Sequence, residues 1–142
     1  MQYRYIKPYI LSGNCTFTLM STKIDKRYTY KIQQDQKMGM RYFCKVMYGP
    51  DNVDDYRFLG WFYLDNFLLL FSGKSCYPKE SSQARMLSMF LELIGNNKEL
   101  PETCLFYPSA YCGRCGRLLT TPDSITRGIG PECIKQINGG IE

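Results

Sequence analysis

Histidine is absent from this chain of 142 residues, and this absence removes the side chain that proteins use most often for acid–base catalysis. Nucleophilic mechanisms that depend on a Ser-His or Cys-His pair are therefore excluded. A mechanism built on two carboxylates would need an acidic pair in a recognisable setting, and none of the 13 Asp and Glu residues provides one. The sequence predicts no catalytic residue and no small-molecule substrate, and hence a protein that is not an enzyme.

Long apolar runs are also absent. The longest, FLLLF at residues 67–71, is much shorter than the roughly 20 residues needed to cross a bilayer. The chain starts MQYRY, which is polar and aromatic rather than the apolar run of a secretory signal peptide. We therefore expect a cytoplasmic protein without a membrane partner. Thiols stay reduced in that compartment, so clustered members of the seven cysteines are expected to bind a metal rather than form disulfides.

Acidic residues are scarce in the first third of the chain. Residues 1–50 contain nine Lys or Arg against two Asp, hence a net charge of +7, whereas the whole chain has +5. A positive surface attracts polyanions and releases their counterions, although a bias of this size is also common on a solvated surface that binds nothing. The candidate nucleic-acid contacts are basic residues of the first half and one arginine of the C-terminal segment: Lys26, Arg27, Lys31, Arg41 and Arg127.

Tyrosines are interleaved with these cations. Tyr28, Tyr30 and Tyr42 alternate with basic side chains in the way that a stacking platform for single-stranded nucleic acid would require. Aromatic residues at the two-residue period of a strand also form core or cross-strand pairs. The sequence leaves both interpretations open.

The first 100 residues have the pattern of strands followed by one helix. Alternation, β-branched and aromatic residues and turn signals predict five strands, at residues 15–20, 27–32, 40–47, 58–64 and 67–71. An Asp-Asn pair between the last two predicts a tight hairpin. Residues 81–94 predict a helix with a serine cap and a Gly-Asn end. The expected fold is α+β, an antiparallel β-sheet in meander order with one packed helix.

The C-terminal segment contains a cysteine pattern typical of a zinc site. CGRCGR at residues 112–117 places Cys112 and Cys115 on one tight turn, where two thiolates can bind one ion. GIGPEC at residues 128–133 has the glycine, proline and glutamate of a helix start, with Cys133 in its first turn. These features predict a C-terminal treble-clef-like zinc module over residues 101–142, joined to a sheet and helix domain over residues 1–100.

A structural zinc needs four ligands, and the fourth is not evident. Cys104 is the first choice because it lies eight residues before Cys112. Cys76, Asp123 and a water molecule are the alternatives. The same cysteines would also be explained by ordinary reduced thiols or by a redox pair at Cys112 and Cys115, although no thioredoxin-like strand–helix context surrounds that pair.

Residues 111–133 resemble an uncharacterised zinc-finger family of phage and bacterial mobile-element proteins. The likeness rests on the cysteine pattern together with Leu119, Thr120, Pro122 and Ser124 between its two halves. The resemblance implies a phage or mobile-element origin and a bound metal, and it implies no known activity. That family commonly has a histidine ahead of the first cysteine, which this chain lacks, so a fourth cysteine enters the ligand set.

Two functions suit these features. The first is a nucleic-acid-binding accessory factor, in which the basic first half contacts phosphates and Arg127 adds a contact beside the metal. The arginines near the metal would otherwise hydrogen-bond backbone carbonyls. The second is a protein-binding inhibitor of a bacterial host or anti-phage defence complex, an anti-CRISPR-like role. Both place the protein in the cytoplasm of a bacterial host cell, with zinc as its cofactor.

Overall fold

A computed structural model of the protein describes residues 3–48 and 55–108. Two helices and five strands follow one another in these residues: α1 (Tyr3–Ile10), β1 (Asn14–Ser21), β2 (Lys26–Gln34), β3 (Arg41–Met47), β4 (Tyr56–Tyr63), α2 (Ser82–Gly95) and β5 (Cys104–Pro108). The first four strands and α2 match the predicted strands at 15–20, 27–32, 40–47 and 58–64 and the predicted helix at 81–94, each within two residues. Those five predictions are confirmed.

The strands form one antiparallel sheet in the order β4-β3-β2-β1-β5. β1 to β4 are a meander, and β5 pairs with the other edge of β1, where Phe17 lies opposite Pro108. The outer edge of β4 is hydrogen-bonded to the segment that follows it. Trp61 and Leu70 exchange two backbone hydrogen bonds of 3.1 and 2.8 Å, and the Cys76 N–H donates to the Phe58 carbonyl at 2.8 Å. The fifth strand therefore adds at the β1 side of the sheet.

One face of the sheet, which we call the core face, carries the hydrophobic core. Alternate strand residues such as Phe17, Tyr30 and Cys44 are completely buried there, as the two-residue period of a strand requires. Both helices cover this face. Phe90 of α2 lies with its ring centroid 5.3 Å from that of Phe17, and Ile10 of α1 is fully buried.

Helix α2 follows directly from its sequence. Ser81 caps it, because its hydroxyl oxygen accepts a hydrogen bond from the Ala84 N–H at 3.1 Å. The buried residues recur at the spacing of one helical face: Ala84, Met86, Leu87, Phe90, Leu91 and Ile94. A single apolar stripe therefore fixes how α2 packs on the sheet.

The predicted fold class is wrong in its helix count and in its zinc module. Tyr3–Ile10 forms a second helix, which sequence analysis missed because it has only eight residues and contains Pro8; packing of its apolar residues into the core stabilises it, since a free helix of that length is unstable in water. The described residues contain no group of three or more His, Cys, Asp or Glu that could hold a metal ion, and residues 109–142 lie outside them. The corrected class is a five-stranded antiparallel sheet with two helices.

The predicted strand at residues 67–71 is also wrong. Phe67 has a positive φ of 52°, and the Asn66 side-chain oxygen accepts from the Leu68 N–H at 3.1 Å, so the chain turns where an extended strand should begin. Only one isolated bridge, between Trp61 and Leu70, joins this segment to β4. The fifth strand is Cys104–Pro108 instead, which lies beyond residue 100, where sequence analysis ended the sheet domain.

Candidate nucleic-acid interface

The face of the sheet opposite to the core is the candidate site. Residues directly opposite one another on neighbouring strands share a face, so Lys31, Lys45 and Phe58 form one row across β2, β3 and β4. We call this side the outer face. Its basic and aromatic members are Arg27, Lys31, Arg41, Phe43, Lys45, Tyr56, Phe58, Trp61, Tyr63 and Tyr107.

The strands carry positive charge without any carboxylate. None of the five strands contains Asp or Glu, and together they contain six Lys or Arg residues, at positions 26, 27, 31, 41, 45 and 57. The acidic residues of the described part of the chain lie in turns, in loops and on α2. A sheet of this composition presents a positive potential to an approaching polyanion.

An irregularity in β4 brings two of the large rings together. The register with β3 shifts between Cys44 and Lys45, and Leu59 and Gly60 are both buried. Phe58 and Trp61 therefore lie on the same face although they are three residues apart, as an extra residue in a strand allows. Their ring centroids are 6.2 Å apart and their planes differ by 19°.

Cations lie against the rings of the outer face. The Lys31 ammonium is 4.6 Å from the ring centroid of Tyr56, and the Arg41 guanidinium carbon is 5.0 Å from that of Phe43. Both distances are within the range of cation–π attraction. Rings and cations therefore alternate on this surface rather than occupying separate patches.

Arg41 also forms an ion pair. Its Nε and a terminal guanidinium nitrogen donate to Asp35 Oδ2 at 2.9 and 2.6 Å. The Lys37 backbone N–H, which donates to Asp35 Oδ1 at 2.9 Å, and then the Arg41 guanidinium hold the pKa of the Asp35 carboxyl below its ordinary value. The same side-chain hydrogen bonds raise the pKa of Arg41. Part of the charge of Arg41 is thus already matched within the protein.

The structure brings together three of the five basic residues predicted to contact nucleic acid. Arg27, Lys31 and Arg41 all lie on the outer face. Lys26 is the first residue of β2, and by the alternation of the strand its side chain lies on the other side of the sheet from Arg27. Arg127 lies outside the described residues.

The three tyrosines considered for stacking are on the core face. Tyr30 and Tyr42 are buried there, and Tyr28 packs against the same core. The Tyr30 hydroxyl donates to the Gln83 carbonyl of α2 at 2.7 Å, which fixes it in the interior. Of the two interpretations of these tyrosines, the core one is therefore confirmed.

Sequence analysis missed the rings that do lie beside the cations. Strict alternation from Arg41 would have placed Phe43 and Lys45 on the outer face. For Phe58 and Trp61 the alternation fails, since two successive buried residues separate them. The one available signal was Gly60, because a glycine inside a strand often marks a bulge or a close backbone approach. Here an added Cβ would overlap the Leu70 carbonyl oxygen.

The predicted zinc ligands fall mainly outside the described part of the chain. Cys112, Cys115 and Cys133 belong to residues 109–142. Cys104 is described: it is the first residue of β5, a free and buried thiol among the core residues, and burial raises its pKa. The alternative ligand Cys76 is half-buried, and burial raises the pKa of its thiol as well.

Comparison with known proteins bears only on the end of the chain. Residues 106–138 match a family of unknown function (DUF6011). The match covers under a quarter of the 142 residues; it starts inside β5 and includes the whole of the cysteine pattern. No curated protein and no solved structure matches the chain. In the described residues, neither helix has the length and apolar character needed to cross a membrane.

Proposed function

We propose that this protein is a non-enzymatic nucleic-acid-binding accessory factor, and that the outer face of its sheet is the binding surface. The observation that carries the proposal is that four of the six strand cations lie on this face and that none of the five strands contains a carboxylate. Lys31 and Lys45 lie side by side at its centre, next to the Phe58 ring. Neutralising phosphates at such positions releases condensed counterions, which is the main source of affinity for nucleic acid.

The proposal extends to zinc at the end of the chain. Cys112, Cys115 and Cys133 would hold a structural ion, with Cys104 as fourth ligand, because a set of sulfur donors suits zinc. Of these four, Cys104 alone is described. Its buried thiol is costly to ionise, and a bound Zn²⁺ would offset that cost because it binds the thiolate. The resemblance of residues 111–133 adds a phage or mobile-element origin and the cytoplasm of a bacterial host to this proposal.

Metal analysis of the purified full chain tests the zinc part. We expect one zinc per chain in the wild type and in Cys44→Ser, a buried core thiol that serves as the control. Cys112→Ser should abolish stoichiometric zinc. Retention of zinc in Cys104→Ser would remove that residue from the ligand set. Absence of zinc from the wild type would overturn the zinc proposal.

Salt-dependent binding of oligonucleotides tests the nucleic-acid part. Fluorescence anisotropy with a labelled 20-nucleotide single strand and with its duplex should detect binding to at least one of them, weakening as salt rises. Lys45→Gln should reduce the slope of log K against log salt by about one. Lys98→Gln removes the same charge from an exposed position after α2 and should leave the slope unchanged. Failure of both oligonucleotides to bind at low salt would overturn the proposal.

A patch of exposed apolar side chains favours the second candidate, a protein-binding inhibitor of a bacterial host or anti-phage defence complex. Met38, Met40 and Leu64 are 47%, 51% and 41% exposed, and the Leu64 N–H donates to the Met40 carbonyl at 2.7 Å. Exposed apolar side chains that lie together often mark a protein contact. Its test is affinity capture from host lysate with and without nuclease. A nuclease-resistant partner lost on Met40→Glu but kept on Ile24→Glu, which changes an exposed residue of the β1–β2 turn at the opposite end of β2, would support this role.

A further inference from the structure

The spacing of the aromatic rings on the outer face carries a conclusion about the form of the ligand. The ring centroids of Phe58 and Trp61 are 6.2 Å apart and their planes differ by 19°, whereas Phe43 stands edge-on to Phe58, with planes that differ by 64°. Successive bases of a duplex are stacked at about 3.4 Å, and their faces are hidden in the stack. Rings at nearly twice that spacing match bases of a strand that is extended and unstacked.

We propose that the outer face binds a single strand, with successive bases stacked on Phe58 and Trp61. This inference rests on the proposed nucleic-acid function and specifies its ligand. The bulge in β4 makes the platform, because it puts both rings on one face with planes only 19° apart. Such rings accept any base, since every base has an aromatic face, so the binding is tolerant of sequence.

The charges lie where the phosphates of such a strand would run. Lys45 is directly opposite Phe58, and Lys31 is directly opposite Lys45. Neighbouring strands are about 4.8 Å apart, so the backbones of the two lysines lie one and two strand spacings from that of Phe58, and the Lys31 ammonium reaches back to the Tyr56 ring of β4. A nucleotide with its base on the Phe58 ring can therefore bring its phosphate to the lysines. Beyond Lys31, the half-buried Thr16 lies directly opposite it on β1, and its hydroxyl is a polar group that suits a sugar–phosphate backbone.

Charge complementarity distinguishes this ligand from the protein's own C-terminal segment. Residues 109–142 contain four Lys or Arg against three Asp or Glu, hence a net charge of +1. That segment cannot neutralise the cations of the outer face. An acidic protein could do so, but it would not offer flat faces at the spacing of Phe58 and Trp61. The combination of rings and cations therefore favours a polyanion that carries bases.

The test uses the full chain and the fluorescence of Trp61, the only tryptophan in the sequence. A single strand should quench this fluorescence and bind at least about tenfold more tightly than a duplex of equal length at the same salt. A single strand of the same phosphate count but without bases should lose both the quenching and about tenfold in affinity. Phe58→Leu should weaken the single strand by a similar factor, and Tyr5→Leu, a change of an exposed ring on α1, should not.

Three results would overturn the single-strand inference alone. Equal or tighter binding of the duplex would overturn the single-strand inference and leave the proposed function intact. An abasic strand that binds the wild-type protein as tightly as the ordinary strand would also overturn the single-strand inference. Displacement by poly-glutamate as effective as displacement by the strand would also overturn the inference, because charge alone would then explain the binding. Failure of every nucleic acid to bind would overturn both proposals.

Discussion

The two faces of the sheet use the same kinds of residue for different purposes. On the core face, Phe17 is fully buried and its ring lies 5.3 Å from that of Phe90 and 5.5 Å from that of Phe106. On the outer face, Phe43 is only half-buried, and its neighbours are Arg41 and Phe58. The first arrangement removes apolar area from water, whereas the second keeps rings and charges within reach of a ligand. Aromatic content alone therefore does not identify a binding surface, since the neighbours of each ring decide its role.

The largest effect is expected on the core face. Phe17→Ala should lower the free energy of unfolding by about 3–5 kcal/mol, because it leaves a cavity among packed rings. Phe43→Ala should cost about 1 kcal/mol, as substitutions outside the core do, while weakening binding of single strands. Urea denaturation of both variants measures the free energy of unfolding, and oligonucleotide titration measures their affinity for a single strand. Equal losses of stability in the two variants would contradict this difference between the faces, since the outer face would then be a second core.

The second effect concerns the bulge that separates the two faces. Gly60→Ala should lower the free energy of unfolding by about 1–3 kcal/mol, because the new Cβ would overlap the backbone oxygen of Leu70, which cannot move aside easily. Gly73→Ala is the matched control: an added Cβ there meets no atom within 4 Å, and we expect a change within about 0.5 kcal/mol. Thermal unfolding of the two variants measures this difference in stability, and equal losses would contradict the close approach of Leu70 to Gly60.

A third pair compares two adjacent residues of β2 that face opposite sides. Tyr30→Phe removes the hydrogen bond to the Gln83 carbonyl and should cost about 1 kcal/mol of stability without changing nucleic-acid binding. Lys31→Gln should leave the stability unchanged and lower the slope of log K against log salt by about one. Chemical denaturation measures the stability of both variants, and fluorescence anisotropy measures their binding. Loss of binding in Tyr30→Phe would contradict the assignment of the two residues to opposite faces.

The smallest effect is expected from the ion pair at the end of the outer face. The pKa of Asp35 is lower in the folded protein than the value of about 3.9 in an unfolded chain. The ionised carboxylate therefore stabilises the fold above pH 4, and this stabilisation is lost as the pH falls through the folded pKa. Asp35→Asn should lower Tm by a few degrees at neutral pH, and the difference from the wild type should narrow in acid. A difference that is constant with pH would contradict this assignment.

Local sequence patterns predicted most of the fold. The alternation in β1, β2 and β3 and the capped apolar stripe of α2 are encoded within a few residues, so they can be recognised without any knowledge of their partners. Helix α1, the turn at Phe67 and strand β5 are different. Packing into the core stabilises α1. The positive φ of Phe67 accompanies a ring that lies 5.0 Å from that of Phe62. Strand β5 pairs with the edge of β1 that β2 leaves open.

The candidate site divides in the same way. Composition predicted an excess of cations in the first half of the chain, and alternation within β2 would have grouped Arg27 with Lys31. The place of Lys45 beside Lys31 follows from the register between β2 and β3. The aromatic platform needed the register shift in β4, which no period-two pattern contains. The predicted zinc site rests on a spacing of cysteines over residues 112–133, and it stays a prediction because those residues lie outside the described part of the chain.

The sequence is enough to identify β1 to β4 and α2, the cations without carboxylates on those strands, and the exclusion of histidine-dependent catalysis, because these properties depend only on residue type and short-range period. The tertiary structure alone decided which rings are core and which accompany the cations. A one-residue bulge moves every following side chain to the opposite face, and whether a strand contains one depends on what packs against it. In this protein the backbone of Leu70, lying against Gly60, is that neighbour.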